Sequence, residues 1–211
     1  MKLASILVLT LAYLALRCTV ALAQVGTPRL SIVEGAVFLN EQALESPAAD
    51  VPLNDTAEVR TTNGRAGLEL TTGDLVFIGR NASLRLLNRR GLNVSRFEIL
   101  DGSIVVLSGG VGPAVVCENE VQLSDKGIFR FDVQQVDGAR FCRVRVYKGA
   151  ASAQMPSFTW VLTPGKSLDL ALRCGDHIPR NEFDTEELDE LDHWSRAQPP
   201  GGGSSPLTVE H

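Results

Sequence analysis

From Glu58 to Leu107 the chain alternates short apolar and polar runs, cut at near-regular intervals by Asn63-Gly64, Gly73-Asp74, Arg80-Asn81 and Asp101-Gly102. Alternation by twos puts every second side chain on one face of an extended backbone. Only strands connected by tight turns repeat on that period. A sequence with this rhythm is expected to be all-β: meandering short strands in a β-sandwich or solenoid-like stack. Aromatic residues make up only 6% of the chain, so Val, Leu and Ile must build the interior.

The amino terminus predicts export. Lys2 gives a positive start, Leu3 to Leu16 an apolar run, and Ala21-Leu22-Ala23 a small-x-small cleavage site before Gln24. Arg17 interrupts the run, leaving too short a hydrocarbon stretch for a spanning helix, which needs about 20 predominantly apolar residues. Residues 1–23 are therefore expected to be a cleaved signal peptide, and the remaining chain not to span a membrane. That remainder is the size of one ordinary domain. A formal charge of −5 without a clustered basic face argues against nucleic acid as a partner.

The strand pattern continues to about residue 180. Leu30 to Leu39 alternates with a break at Glu34-Gly35, and Asp137-Gly138 predicts a hairpin into Arg140 to Tyr147. Phe129, Phe131 and Val133 fall on one face with Val144 and Val146. Glu118 and Glu120 are expected beside Arg130, Arg143 and Arg145 on a solvated, self-paired outer face. Cys117, Cys142 and Cys174 all fall on apolar faces. One disulfide with a spare thiol, or three small core residues, fits this placement, and the three possible pairings stay open.

Residues 181–197 are expected to hold the one short helix, opened by the capping box Asp184-Thr-Glu-Glu with Phe183 and Leu188 closing around it. Leu188, Leu191 and Trp194, at helical spacing, would dock on the sheet or cover an edge. Residues 198–211, rich in Pro, Gly and Ser, have the composition of a disordered tail.

Candidate chemistry is sparse. Asp176-His177 and Asp192-His193 pair a base with a carboxylate in sequence, but adjacent side chains point apart, and His211 lies in the tail. No serine sits in a nucleophile elbow, and no cysteine pair has zinc spacing. No catalytic, cofactor or metal site is expected. Asn54-Asp-Thr, Asn81-Ala-Ser and Asn93-Val-Ser match the N-glycosylation pattern, which matters only in a eukaryotic secretory pathway.

The order of the segments resembles a known family. Glu34-Gly-Ala-Val-Phe-Leu, Glu58-Val-Arg-Thr-Thr-Asn-Gly-Arg-Ala-Gly-Leu-Glu-Leu and Gly73-Asp-Leu-Val-Phe-Ile-Gly-Arg-Asn-Ala-Ser-Leu-Arg-Leu resemble a FecR-type domain. So do Phe97-Glu-Ile-Leu-Asp-Gly-Ser-Ile-Val-Val, Val144-Arg-Val-Tyr-Lys-Gly-Ala-Ala and Leu162-Thr-Pro-Gly-Lys-Ser-Leu. The resemblance runs from about Leu30 to Leu172 within a domain of residues 24–180. It implies a non-enzymatic, periplasmic or secreted binding module of the bacterial envelope. The expected partner is an envelope protein, a polysaccharide or another cell-wall component. In the namesake regulators such a domain reports a loaded outer-membrane receptor to a sigma factor. The sigma-binding and receptor-recognising segments of those regulators have no counterpart in this sequence, so a stand-alone member is expected. Regulation of a sigma-factor system and a self-assembling structural role are the alternatives.

Overall fold

The computed structural model describes residues 27–45, 50–87, 96–109, 112–124, 126–136, 138–155, 158–170 and 180–198. The first half holds β1 (Arg29–Glu34), β2 (Val37–Leu39), β3 (Gln42–Leu44), β4 (Val51–Pro52), β5 (Glu58–Thr61), β6 (Arg65–Glu69), β7 (Leu75–Ile78), β8 (Ser83–Leu86) and β9 (Phe97–Ser108). The second holds β10 (Gly112–Val116), β11 (Asn119–Leu123), β12 (Gly127–Val136), β13 (Ala139–Lys148), β14 (Ala151–Met155), β15 (Phe158–Leu162), β16 (Lys166–Asp169), β17 (Arg180–Glu182) and helix α1 (Glu190–Ala197). The chain is all-β with one short helix among the described residues.

The strands form two layers that share β9. Sheet I runs β4-β1-β6-β7-β9-β12-β13-β16-β17. Sheet II runs β3-β2-β5-β8-β9-β10-β11-β14-β15. Only the β9–β10 pairing is parallel. The first half of β9 pairs β8 and β10, and the second half pairs β7 and β12. Gly102, at φ +78°, sits where the strand passes from one layer to the other. An L side chain resists that backbone conformation, so glycine suits the bend.

Gly73-Asp74 closes a simple hairpin between β6 and β7, but three other turns of the first half do not. β1 lies in sheet I and β2 in sheet II, β5 in II and β6 in I, β7 in I and β8 in II. Each of these three turns is a corner where the chain changes layer, and the corners stack. The Thr62 amide donates to the Ala36 carbonyl at 3.1 Å, and the Asn81 amide to the Thr62 carbonyl at 2.9 Å. Gly64 is pressed into this stack: a Cβ there would lie 2.4 Å from the Glu34 carbonyl oxygen. The Asn-Gly pair at 63–64 therefore serves close approach between corners. The solenoid-like expectation is met in this stack, and the two-layer expectation in the facing sheets.

The residues that face the core alternate by twos along the strands. Leu30, Leu68, Val76, Ile104, Phe129, Phe131, Val144 and Val146 point inward from sheet I. Val59, Leu84, Ile99, Val116, Val121 and Ala153 meet them from sheet II in one continuous core. Cys117, at the β10–β11 turn of sheet II, is bonded to buried Cys142 on β13 of sheet I, with Cα atoms 6.3 Å apart. The disulfide thus ties layer to layer. Closing a loop of 25 residues is worth about 3 kcal/mol by restricting the unfolded chain. Cys174 lies outside the described residues.

Two expectations are corrected. The helix does not occupy residues 181–197: β17 ends at Glu182, and α1 begins only at Glu190. Asp184 does accept from the Glu186 amide at 2.9 Å, but this closes a single turn. The working capping box is Asp189 with Asp192. Secondly, Glu118 and Glu120 are not beside the arginines of β12 and β13, because β11 belongs to the other sheet. Glu120 pairs instead with Arg96 at 2.9 Å. The expected tail falls almost wholly outside the described residues, as does the proposed signal peptide. No helix among the described residues is long and apolar enough to cross a membrane.

Candidate functional site

Sheet I is unusual in being apolar on both faces near its centre. Phe77 on β7 and Val105 on β9 point away from the core, flanked by Ile32, Leu75, Leu107 and Ile128. Segment 183–198 crosses this outer face and covers it. Leu191 of α1 is buried against Phe77 and Val105, and the Trp194 ring meets Phe77 edge-on with centroids 5.5 Å apart. Gly79 makes room for this contact. A Cβ there would lie 3.1 Å from Leu191 Cδ2 and 2.9 Å from the Ser103 carbonyl oxygen. The Trp194 indole N–H donates to Glu34 Oε1 at 3.1 Å.

Beside this apolar seat lies a buried ionic cluster. Arg130 on β12 is only 5% exposed. Its Nε donates to Asp132 Oδ1 at 3.0 Å, one Nη to Asp192 Oδ2 at 2.7 Å and the other to Asp189 Oδ2 at 2.6 Å. Asp192 Oδ2 also accepts from the Tyr147 hydroxyl at 3.1 Å. Ser103 donates to Asp132 Oδ1 at 2.7 Å, and Arg145 lies 3.1 Å from Asp132 Oδ2. The Asp189 carboxylate at the same time caps α1, accepting from the Leu191 and Asp192 amides at 2.9 and 3.0 Å. One side chain therefore both starts the helix and fastens it to the sheet.

The electrostatics follow from this packing. Burial alone would lower the pKa of Arg130, but hydrogen bonding with Asp189 and the charges of Asp132 and Asp192 outweigh it and raise it. Burial would raise the pKa of Asp189, yet Arg130 and the helix amides bring it down to about 2. Burial and the Asp192 charge push the Tyr147 hydroxyl up. Asp192 is 1% exposed, and its second oxygen, Oδ1, has no hydrogen-bond donor among the described residues. Such a buried orphan costs about 1–3 kcal/mol. A cavity of about 240 Å³ remains between the segment and the sheet, bounded by Phe183, Leu188 and Asp189 on one side and Arg130 and Arg145 on the other.

The histidine pairs are not assembled as base and orienter. Asp192 is engaged by Arg130 and Tyr147, while His193 points to solvent. His177 and His211 lie outside the described residues. No group of His, Cys, Asp and Glu among the described residues is arranged to hold a metal ion. Asn54 and Asn81 are exposed, Asn54 accepting from the Thr56 amide at 3.1 Å, and Asn93 is not described. Sequence reading brought Leu191 and Trp194 to the sheet but missed the outward Phe77 and Val105 and the cluster, and the expected solvated face is overturned at Arg130, which is buried. Arg130 and Asp192 are 62 positions apart, and no local pattern links them.

No family model matches this sequence, and no curated protein does. Solved structures do share its fold. A crystal structure of a candidate anti-sigma factor from Parabacteroides distasonis superposes with a TM-score of 0.53 at 15% identity, over 62% of each chain. A second crystal structure under the same description gives 0.52 at 15% identity, over 61% of each chain. The chain thus spans about three fifths of the length of those structures, and the likeness is one of fold.

Proposed function

We propose that this chain is a non-enzymatic, extracytoplasmic binding module of the bacterial envelope with a FecR-like β domain. The observation that carries the reading is the outer face of sheet I, which already holds a peptide segment through side chains from several strands. The order of the sequence motifs supports the FecR resemblance. The disulfide between Cys117 and Cys142 supports an oxidising compartment, periplasmic or secreted, because such bonds persist there and are rare in reducing cytosol. The partner is an envelope protein, a polysaccharide or another cell-wall component. A photo-crosslinking residue at exposed Glu187, beside the covered face, should yield an adduct in intact envelopes, and one at Arg60 on sheet II should not. Recovery of the chain only from the cytoplasmic fraction, or no adduct from either position, removes the reading.

A second reading has one observation in its favour. The two solved structures named above are described as candidate anti-sigma factors, so the chain would regulate a sigma-factor system from outside the inner membrane. Deleting it should then change transcription from a defined set of promoters. An unchanged transcript profile would remove this role and leave the binding module.

A further inference from the structure

We infer that segment 183–198 is a self-docked, displaceable cover, and that the face beneath takes an acidic amphipathic helix from a partner protein. This deepens, and rests on, the binding-module reading. The cover carries Asp184, Glu186, Glu187, Asp189, Glu190 and Asp192. The surface it meets supplies Arg65, Arg80 and Arg130, all in ion pairs with it, and Arg145 at the cavity wall. The complementarity is between an acidic ligand and a basic seat.

The seat is specific for a helix. Phe77 and Val105 are turned outward where a solvated sheet would carry polar side chains, and Gly79 leaves the space that Leu191 enters. An aliphatic residue followed three positions later by an aromatic one, as in Leu191 and Trp194, is the spacing of one helical face.

The cover fills this seat incompletely. Among its apolar residues only Leu191 is buried, a cavity persists beside Leu188 and Phe183, and Asp192 Oδ1 lacks a donor among the described residues. Part of the anchorage is charge, and the pairs open to solvent, Arg65 and Arg80 with Glu190, are weakened by salt. A better-filling helix with the same acidic first turn has room to displace it.

The test uses the full chain and a fluorescent peptide of residues 183–198 as probe, read by anisotropy. In the wild-type chain the attached cover competes at high effective concentration. The Leu191→Ser chain should therefore bind the peptide about tenfold or more tightly than wild type. Raising salt from about 0.05 to about 0.5 M should weaken that binding about tenfold. Glu190→Lys, at an exposed position facing Arg65 and Arg80, opens the cover without touching the core and should act in the same direction. A peptide carrying Leu191→Ser should not bind. If either opened chain keeps its disulfide and strand-rich circular dichroism yet fails to bind, or wild type binds as tightly, the inference is overturned. Loss of the Glu187 crosslink with peptide binding intact would instead remove the binding-module reading.

Discussion

The two outer faces of the sandwich carry similar residues and treat them differently. On sheet II, Arg85 bridges Glu58 at 3.0 Å and Glu98 at 3.5 Å, Arg96 reaches Glu120, and Arg60 stacks over Phe38, all partly open to water. On sheet I, Arg130 makes contacts of the same kind beneath segment 183–198. Exposed pairs gain little because water competes for the same charges. Under the cover the charges have given up water and depend on one another, so removing one strands the others. The lesson is that burial, rather than the number of ion pairs, decides where charge controls this molecule.

That contrast should be broken most visibly by Arg130→Ala, which leaves Asp192 buried without its cation and Asp132 with Arg145 alone. A loss of about 3–5 kcal/mol is expected in urea unfolding. A loss no greater than that of Arg85→Ala would show the two faces to be equally hydrated. Replacing Cys117 and Cys142 together by Ser should cost about 3 kcal/mol. Because the bond joins the layers, hydrogen exchange should quicken on both sheets, and an effect confined to sheet I would contradict the layer-to-layer bridge. Acid acts more narrowly. The pKa of Asp189 falls from 3.8 to about 2 in the folded chain, so its contribution is complete above its unfolded pKa. That contribution is lost as pH falls through the folded value. Asp189 is half-exposed, which limits the loss to about 1 kcal/mol. It should appear as a Trp194 fluorescence change absent from Asp189→Asn. Arg85→Ala should be the mildest change, within about 1 kcal/mol, and thermal unfolding would detect more.

Much of the architecture is legible in the sequence because burial by twos is a local property. Val144 and Leu68, read as inward-facing, are fully buried. The choice between hairpin and corner was not legible at Asn63-Gly64, since both need the same turn residues. Gly64 acquires its meaning only when Glu34 and Ala36 arrive from another layer. The helix start was hidden for a similar reason. Asp184 and Asp189 are both followed three residues later by an acid, and only Arg130, far away in sequence, selects the second. The disulfide partners could not be chosen from faces alone, because the choice depends on which strands of opposite sheets come opposite each other.

The passage of β9 through both layers bears on how this molecule can fail. Twelve residues of uninterrupted backbone carry ladder bonds to one sheet and then to the other. Shear between the layers would have to tear those bonds, and neither layer can melt while the other keeps its central strand. Heat or denaturant therefore meets a single cooperative unit, with no half-sandwich surviving as an intermediate.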